Sequence, residues 1–391
     1  IEGAGSPAEI NLAHSDVTNL KVAVYAKAPA LLVGDIDRGG VFASLLGTVM
    51  LLDDDQRETV KGFIINRMRG DMGLLGDGPA ELQKRAFGIP TLGVIPWLDD
   101  IGLAEEDRLV TKETDDPSVD AEVEVDVDIA VIRFPRLANF DDLDPLAAEP
   151  GVRLRWVTHP DELATPDGGL PAAVILPGTK MTLSDLRWLR QTGLASAARE
   201  AARAGVQVVG ICGGYQMLGA HIVDIDGVEA EPGSRVRGLG LLPVITRFSD
   251  GKATRQRRAV CLGGAGPLAK LEGLDVAGYE IHMGETRWLD DAAPEDRRDV
   301  LRWLGPGEDR ANSDEEIKPV DGASDRAGRT WGVYLHGLFD LDAFRHRWLR
   351  GLGLEQPGQP FDRGAAYDRL ADHVERYLDI DAIERLLWPE C

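Results

Sequence analysis

Residues 206–218, VQVVGICGGYQML, join a short apolar run to a segment of helical character, with a cysteine at the corner. A buried strand that turns sharply into a helix and presents a nucleophile at the turn is called a nucleophile elbow. We expect Gly210, Gly213 and Gly214 to permit positive φ angles and close backbone approach, so that the Cys212 sulfur points out of the bend. A free cysteine is more often a small buried hydrophobe. Glycines on both sides of this turn favour a reactive thiol instead.

The composition is that of an ordinary globular chain, with 391 residues, 43% hydrophobic and 28% charged. This length predicts two or three domains, each with its own core. The 43 Lys and Arg residues against 66 Asp and Glu give a net charge of −23. Because this charge repels phosphate, it argues against a nucleic-acid or anionic-membrane partner. We therefore expect small-molecule partners, while the sequence leaves the oligomeric state open.

Cellular location is predicted from the cysteines and from hydropathy. The 3 cysteines are too few and too scattered for a disulfide framework or a clustered zinc site, which favours a reducing compartment. No apolar run approaches the ~18 residues of a membrane span, and no basic segment followed by an apolar one opens the sequence. We expect a cytoplasmic protein.

The first half, residues 1–115, alternates strand and helix signals. Apolar runs typical of buried strands lie at 29–33, 62–65 and 90–95, and residues 42–52 are a helix candidate. Such alternation predicts an α/β domain with a parallel, doubly wound sheet. Ligands bind at the carboxyl ends of the strands in such sheets, and polar residues cluster there: Glu2, Asp35, Asp37 and Asn66. An equally well supported alternative is that these residues only form turns.

A linker and a second α/β domain are predicted in the other half. Residues 116–128 are acidic and poor in large apolar side chains, which is typical of an interdomain linker. Strand signals then recur within 129–351, at 129–133, 154–157, 172–176, 206–211 and 331–335, with a helix over 183–204. Residues 252–275 and 289–330 are expected to be loops. The amphipathic tail, 352–391, is expected to form helices that pack on this second domain.

A thiol at an elbow needs a base, and a histidine close in space is the usual partner. His336 is the best candidate because it follows the strand-like WGVYL and precedes Gly337. His282, in GYEIHMGET, is the second. A lone histidine at a strand end is structural more often than catalytic. Its place in the same predicted domain as Cys212 favours catalysis.

Acyl transfer also needs donors for the developing oxyanion. The run VILPGTK places Gly178 and Thr179 directly after a buried strand. We expect their backbone N–H groups, with that of Gly213, to face the sulfur, and one such donor lowers the barrier by about 3 kcal/mol. Gln216, one helical turn beyond Cys212, is expected to bind the amide or the amino-acid end of the substrate.

Several of these strings resemble known families. GICGGYQMLG with YLHG downstream resembles the class I glutamine amidotransferase domain, whose fold is flavodoxin-like. The strings EGAGSPAEINL, DIDRGGVFASLLGT, GFIINRMRGD, LPGTK, GYEIHMGET and GVYLHGLFD resemble the cobyric acid synthase family of cobalamin biosynthesis, from residue 1 to about 350. The resemblance implies ATP- and glutamine-dependent amidation of the b, d, e and g carboxylates of adenosylcobyrinic acid a,c-diamide.

The resemblance also assigns roles in the second domain. It implies that Cys212 attacks glutamine to form a cysteinyl thioester and that His336 is the general base and acid. The usual triad of these domains ends H-x-E, whereas Gly337 and Leu338 follow His336 here. The carboxylate that would orient the imidazole is therefore absent from that motif.

The first half resembles the dethiobiotin-synthetase-like, P-loop-type ATP domain. By that resemblance Glu2 helps to hold Mg²⁺, Asn66 reads adenine, and Asp35, Asp37 and Arg38 line the nucleotide or corrinoid site. Magnesium prefers one or two carboxylates together with phosphate oxygens. The G-x-x-x-x-G-K-S/T loop that grips phosphate in this family does not occur in the sequence. We therefore expect an ATP domain without its amino-terminal part, in a chain that keeps glutaminase chemistry and cannot activate the substrate carboxylate.

Two alternatives come from other proteins with a related domain. One is another cobalamin-type amidotransferase, such as a,c-diamide synthase or the subunit that amidates lipid II, and the strings of the first half argue against it. The other is a sensor built on an inactive amidotransferase fold. The presence of both Cys212 and His336 argues against a sensor.

Overall fold

The computed structural model describes residues 5–11, 18–98, 125–305 and 320–388. The chain divides into two compact units, residues 1–103 with 362–391 (unit 1) and residues 104–361 (unit 2). The α-helices are α1 Leu20–Ala26, α2 Val41–Leu51, α3 Asp54–Thr59, α4 Gly78–Arg85, α5 Asp144–Ala147, α6 Thr182–Gln191, α7 Leu194–Arg203, α8 Gly213–Leu218, α9 Gly266–Ala269, α10 Asp342–Leu352, α11 Arg363–Tyr377 and α12 Ile380–Leu387. The strands are β1 Ala30–Asp35, β2 Val60–Met68, β3 Thr91–Pro96, β4 Val127–Ile132, β5 Val152–Val157, β6 Ala173–Leu176, β7 Gln207–Ile211, β8 His221–Asp224, β9 Ser234–Arg237, β10 Val244–Cys261, β11 Asp275–Trp288, β12 Leu301–Trp303, β13 Val320–Asp321, β14 Ala323–Ser324, β15 Thr330–Val333 and β16 Leu335–His336.

Unit 1 contains a 3-stranded parallel sheet in the order β1-β2-β3. Helix α2 places Val41, Leu45 and Val49 in the same buried cluster as Phe63 of β2. The helix lies close to β1, because a Cβ added to Gly34 would come within 2.8 Å of Val41 Cγ2. These apolar contacts fix the parallel sheet predicted for the first half.

The carboxyl-terminal helices belong to unit 1, which corrects the prediction that the tail packs on the second domain. Leu378 forms an antiparallel bridge with Gly93, and the N–H of Asp379 donates to the carbonyl of Leu92 at 2.7 Å. The amphipathic spacing of α11 shows that one face is buried, but not which surface covers it. Residues 352–361 remain in unit 2.

A 6-stranded sheet forms the centre of unit 2, in the order β14-β15-β7-β6-β4-β5. Its pairings are parallel except for that of β14 with β15. Alternate residues of β4 belong to different buried clusters, Ile129 and Val131 to one, Ala130 and Ile132 to the other. Both faces of this sheet are therefore covered, which explains why its strands read as nearly continuous apolar runs. Strand β4 begins at Val127, inside the predicted linker, and residues 116–124 lie outside the described residues.

Unit 2 also has a 7-stranded sheet, in which β13-β12-β10-β11-β16 are joined in order, β8 pairs with β10, and β9 pairs with β8. Residues 252–261, predicted to be loop, are the second half of β10 and pair with β11. The many Arg, Lys and Gln residues of this segment hid its extended conformation, because polar residues are tolerated on the solvent face of an antiparallel strand. The single helix predicted over 183–204 is two helices, α6 and α7, separated at Gly193, whose φ is +86°. Among the described residues, no helix has the length and hydropathy to cross a bilayer.

Candidate active site

Cys212 stands between the end of β7 and the start of α8, at φ 52° and ψ −110°. The left-handed region costs a residue with a side chain about 1–3 kcal/mol and is found mainly at functional sites. The N–H of Cys212 donates to the carbonyl of Val333 at 2.9 Å, which ties the turn to β15. The predicted elbow is present, and the strained residue is the nucleophile candidate itself. Gly210, Gly213 and Gly214 have no positive φ, so that part of the prediction is wrong.

The glycines around Cys212 serve close packing. A Cβ on Gly210 would lie 2.7 Å from Tyr215 Cα, and one on Gly214 would lie 1.8 Å from the carbonyl oxygen of Leu176. Helix α8 therefore sits directly on β6 and β7. This contact fixes the position of the turn that contains Cys212. Cys212 is 8% exposed.

His336 lies at the end of β16 and is 1% exposed. Its Nδ1 is 2.6 Å from Oδ2 of Asp142, whose Oδ1 accepts the N–H of Gly337 at 2.8 Å. Tyr279 stacks on the ring, with 5.0 Å between centroids and 14° between planes. The hydrogen bond to Asp142 therefore restricts rotation of the imidazole, and the stacked Tyr279 restricts its movement perpendicular to the ring plane.

Asp142 is the residue of this site that sequence reasoning missed. The carboxylate was sought two positions after His336, whereas Asp142 lies 194 residues earlier, in the 3-10 helix Phe140–Leu143. Its only signal in the sequence is the acidic string FDDLD, which is ordinary at the start of a helix. No spacing rule distinguishes Asp142 from its acidic neighbours.

The charge of His336 is set by its burial and its two neighbours. Burial lowers the pKa of the imidazole, but Asp142 and Cys212 raise it more, to about 10. Nε2 of His336 has no aligned hydrogen-bond partner in the described part of the chain. We therefore attribute the effect of Cys212 to its charge near the ring rather than to a formed hydrogen bond. A protonated imidazole next to a cysteine is the arrangement that activates the nucleophile in cysteine enzymes.

The predicted oxyanion donors lie next to this pair. A Cβ on Gly178 would be 3.4 Å from Cε1 of His336, and one on Gly213 would be 3.2 Å from the backbone nitrogen of Thr179. The hydroxyl of Thr179 donates to Asp185 at 2.5 Å. This side chain thus fixes the loop, and Gly178 lies near the imidazole while Thr179 lies near Gly213.

Gln216 does not occupy the predicted position of a substrate ligand. It is 2% exposed, its Oε1 accepts the hydroxyl of Thr182 at 2.9 Å, and its Nε2 donates to the carbonyl of Met283 at 2.8 Å. Both ends of the amide are therefore bonded within the protein. The structure corrects the prediction: Gln216 connects α8 to α6 and β11.

His282, the second candidate base, is likewise engaged within the protein. Its Nε2 is 2.8 Å from Oε1 of Glu280, and its Nδ1 is 2.9 Å from the carbonyl of Gly284. The ring stacks on Tyr334, with 3.7 Å between centroids. The hydrogen bond from His282, together with Arg257, lowers the pKa of Glu280 to about 2. With both nitrogens bonded, His282 has no free position for a proton from Cys212.

In unit 1, part of the predicted nucleotide site is assembled at strand ends. Asp35 ends β1 and pairs in register with Asn66 of β2. Arg67 Nη1 lies 3.3 Å and Arg38 Nε 3.6 Å from Oδ2 of Asp35. Oδ1 of Asn66 accepts the N–H of Arg67 at 2.9 Å. These residues share one edge of the sheet, as expected from a parallel arrangement.

The donor set described here does not by itself fit a magnesium ion. Asp37 is paired with Arg69 at 2.8 Å, and Arg69 in turn lies over the ring of Trp97 at 3.6 Å. Among the described residues, no group of three or more His, Cys, Asp and Glu side chains is placed to hold a metal. Glu2, the predicted magnesium ligand, lies outside the described residues.

Comparison with known proteins identifies the family. Residues 128–344 match the CobB/CobQ-like glutamine amidotransferase domain. The chain is 47% identical to the cobyric acid synthase of Chloroflexus aurantiacus over 386 residues, which cover 99% of this chain and 73% of that protein. It is 46% identical to the cobyric acid synthase of Synechococcus elongatus, over 98% of this chain and 72% of that protein. It is 43% identical to the cobyric acid synthase of Citrobacter koseri, over 99% of this chain and 73% of that protein. The elbow cysteine, the buried histidine and this similarity along nearly the whole chain agree, and the chain belongs to the cobyric acid synthase family.

Proposed function

We propose that this chain belongs to a cobyric acid synthase, a glutamine-dependent amidoligase that uses ATP, and that it carries the glutamine-cleaving site of that enzyme. Its substrate would be adenosylcobyrinic acid a,c-diamide, amidated at the b, d, e and g carboxylates. The observation that carries the glutaminase half is the strained Cys212 beside a buried imidazole whose pKa is raised to about 10. The names of the curated relatives support the substrate and argue against a lipid II amidating subunit.

The first chemical step is attack of the Cys212 thiolate on the side-chain carbonyl carbon of glutamine. The carbonyl π bond breaks and its electron pair moves to oxygen, where the N–H groups of Gly178, Thr179 and Gly213 stabilise the charge. Each donor lowers the barrier by about 3 kcal/mol. His336, protonated at the start, gives a proton to the leaving nitrogen, so that ammonia departs and a thioester remains.

The second step returns the enzyme to its starting state. Neutral His336 takes a proton from water, the resulting hydroxide attacks the thioester, and Cys212 leaves as a thiolate. Glutamate is released and the imidazole is protonated again. One histidine therefore serves as acid in the first half-reaction and as base in the second.

The ammonia would be consumed at a carboxylate activated by ATP as an acyl phosphate. In this proposal unit 1 is part of a P-loop-type, doubly wound ATP domain, with Asn66, Asp35, Asp37 and Arg38 lining the nucleotide or corrinoid site. The clustering of these side chains at strand ends supports that placement. Mg²⁺ with Glu2 as ligand completes the proposal, resting on the resemblance of the EGAG string.

The test is substitution of the nucleophile, Cys212→Ala. We expect the variant to lose glutamine hydrolysis and glutamine-dependent amidation, and to keep whatever ammonia-driven amidation the parent protein shows. A diazo-ketone analogue of glutamine should label the parent protein and not the variant. Cys261→Ala, which changes another buried cysteine of unit 2, is the matched control and should behave as the parent. Glutamine hydrolysis that persists without the Cys212 thiol would exclude this mechanism.

A further inference from the structure

We propose that Asp142 is the positioning residue of this site: it orients the His336 imidazole and fixes which nitrogen carries the proton. The inference deepens the glutaminase proposed above and rests on it. The motif that normally supplies this carboxylate is absent after His336, and the fold brings one from a distant segment. Asp142 would complete a triad of thiol, imidazole and carboxylate with Cys212 and His336.

The geometry is that of a carboxylate held at both oxygens. One oxygen lies 2.6 Å from Nδ1 of His336, and the other accepts the N–H of Gly337 at 2.8 Å. Because Gly337 directly follows His336, the carboxylate contacts the side chain and the backbone of the same short segment. The ring can therefore neither rotate nor shift along the strand without breaking one of these bonds.

The chemistry of an ionised carboxylate decides the tautomer. Such a group only accepts hydrogen bonds, so Nδ1 of His336 must carry a proton. The remaining nitrogen, Nε2, has no other aligned partner among the described residues. Proton exchange with Cys212 and with the leaving ammonia is thereby confined to Nε2. Burial of both partners, Asp142 at 4% exposure and His336 at 1%, keeps water from competing for these bonds.

The aromatic neighbour of the ring, Tyr279, supplies contact without charge. Tyr279 stacks on His336, and its hydroxyl accepts from Nδ2 of Asn139 at 2.7 Å. Burial, together with the Asp142 charge, raises the pKa of Tyr279 to about 12, so this side chain is neutral at physiological pH. Within the described part of the chain, Asp142 is the carboxylate bonded to His336, and Cys212 is the other titratable neighbour.

The experiment measures glutaminase kinetics of Asp142→Asn, with Asp141→Asn on the same turn as matched control. Loss of an orienting carboxylate in a serine protease triad lowers kcat by about 10⁴ because the wrong tautomer is favoured. We expect a fall of about 10³ or more in kcat here, with KM for glutamine changed by only a few-fold. Asp142→Glu, which restores a carboxylate, should recover part of kcat. The Asp141→Asn protein should retain the parent kcat.

A second measurement separates positioning from a merely structural role. The rate of Cys212 alkylation by iodoacetamide, followed by peptide mass spectrometry against pH, reports the thiolate. We expect its midpoint to move to higher pH in Asp142→Asn, since the imidazolium that stabilises the thiolate is weakened. In a His336→Ala background the Asp142→Asn substitution should change kcat little, because the residue acts through the imidazole.

The outcomes distinguish this inference from the proposed function. The inference is overturned if Asp142→Asn keeps the kcat and the alkylation profile of the parent, or if it lowers kcat by the same factor with and without His336. If the parent protein does not hydrolyse glutamine, the proposed function fails. The alkylation profile still decides whether Asp142 controls His336, because it requires no turnover.

Discussion

The contact between α8 and β6 predicts that Gly214→Ala disables the elbow. Gly214 follows the nucleophile turn by two positions, and its N–H donates to the carbonyl of Pro177 at 3.1 Å. Adding one methyl group changes neither charge nor polarity. The substitution therefore tests the packing of the turn by itself.

The size of the effect follows from the distances. The new Cβ would lie 1.8 Å from the carbonyl oxygen of Leu176 and 2.5 Å from its carbonyl carbon, where ordinary contacts are 3.4–4 Å. Both backbone segments are buried, so α8 and β6 must separate by about 1 Å or more. Overpacking of a core costs about 1–3 kcal/mol, and we expect the upper end because backbone must move. A displacement of about 1 Å at the reacting group also lowers the rate about 10²-fold.

The assays are urea denaturation followed by circular dichroism and the kcat of glutamine hydrolysis. Gly351→Ala in α10 is the matched control, because its nearest neighbour is the flexible end of Lys270 at 3.9 Å. Alanine there should leave kcat unchanged and stabilise by about 0.5–1 kcal/mol, as expected for glycine replacement within a helix. Parent-like stability and kcat in Gly214→Ala would refute the packing argument.

Two further predictions concern buried charges of unit 2. Arg345→Met should destabilise the protein by about 3–5 kcal/mol, because the buried carboxylate of Glu149 loses the positive charge that lies 2.6 Å away at Arg345 Nε. A urea denaturation curve that matches the parent would contradict this. Burial raises the pKa of Asp321, and the hydrogen bonds from the backbone N–H groups of Tyr334 and Leu335 lower it. Burial has the larger effect, so the pKa rises from 3.8 to about 6. Because this pKa is raised on folding, the stabilising contribution is complete below about pH 3.8 and is lost as pH rises through 6. Asp321→Asn should therefore flatten the pH dependence of unfolding between pH 4 and 6, and parallel curves for the two proteins would exclude Asp321 as its source.

Local patterns sufficed for the elbow and for the parallel strands. The run VQVVGIC predicted a buried strand that ends in a sharp turn at Cys212, and the structure has this strand and this turn. Short apolar runs predicted the strands of the 6-stranded sheet because a sheet covered on both faces needs apolar side chains on both. By contrast, residues 252–261 of β10 were missed, since a strand with an exposed polar face carries a weaker signal.

The choice of His336 as the candidate base also followed from its position along the chain, directly after the strand-like WGVYL. In the structure His336 ends β16, which follows β15 closely in the chain, and the carbonyl of Val333 in β15 accepts the N–H of Cys212. The burial of Gln216 and the pairing of His282 with Glu280 were not predictable from spacing. The bond from Gln216 to the carbonyl of Met283 depends on how β11 crosses the turn, which no local sequence pattern encodes.

The sequence by itself determined most of the elements and the candidate reacting pair, because strand and helix formation and the chemistry of a thiol at a tight turn are local properties. Tertiary structure alone decided what surrounds that pair. Asp142 meets His336 across 194 residues, and α11 packs on β3 rather than on unit 2. Contacts of this kind are made by the packing of whole elements. The local sequence around a carboxylate or an apolar helix face does not specify which distant residue or surface it will contact.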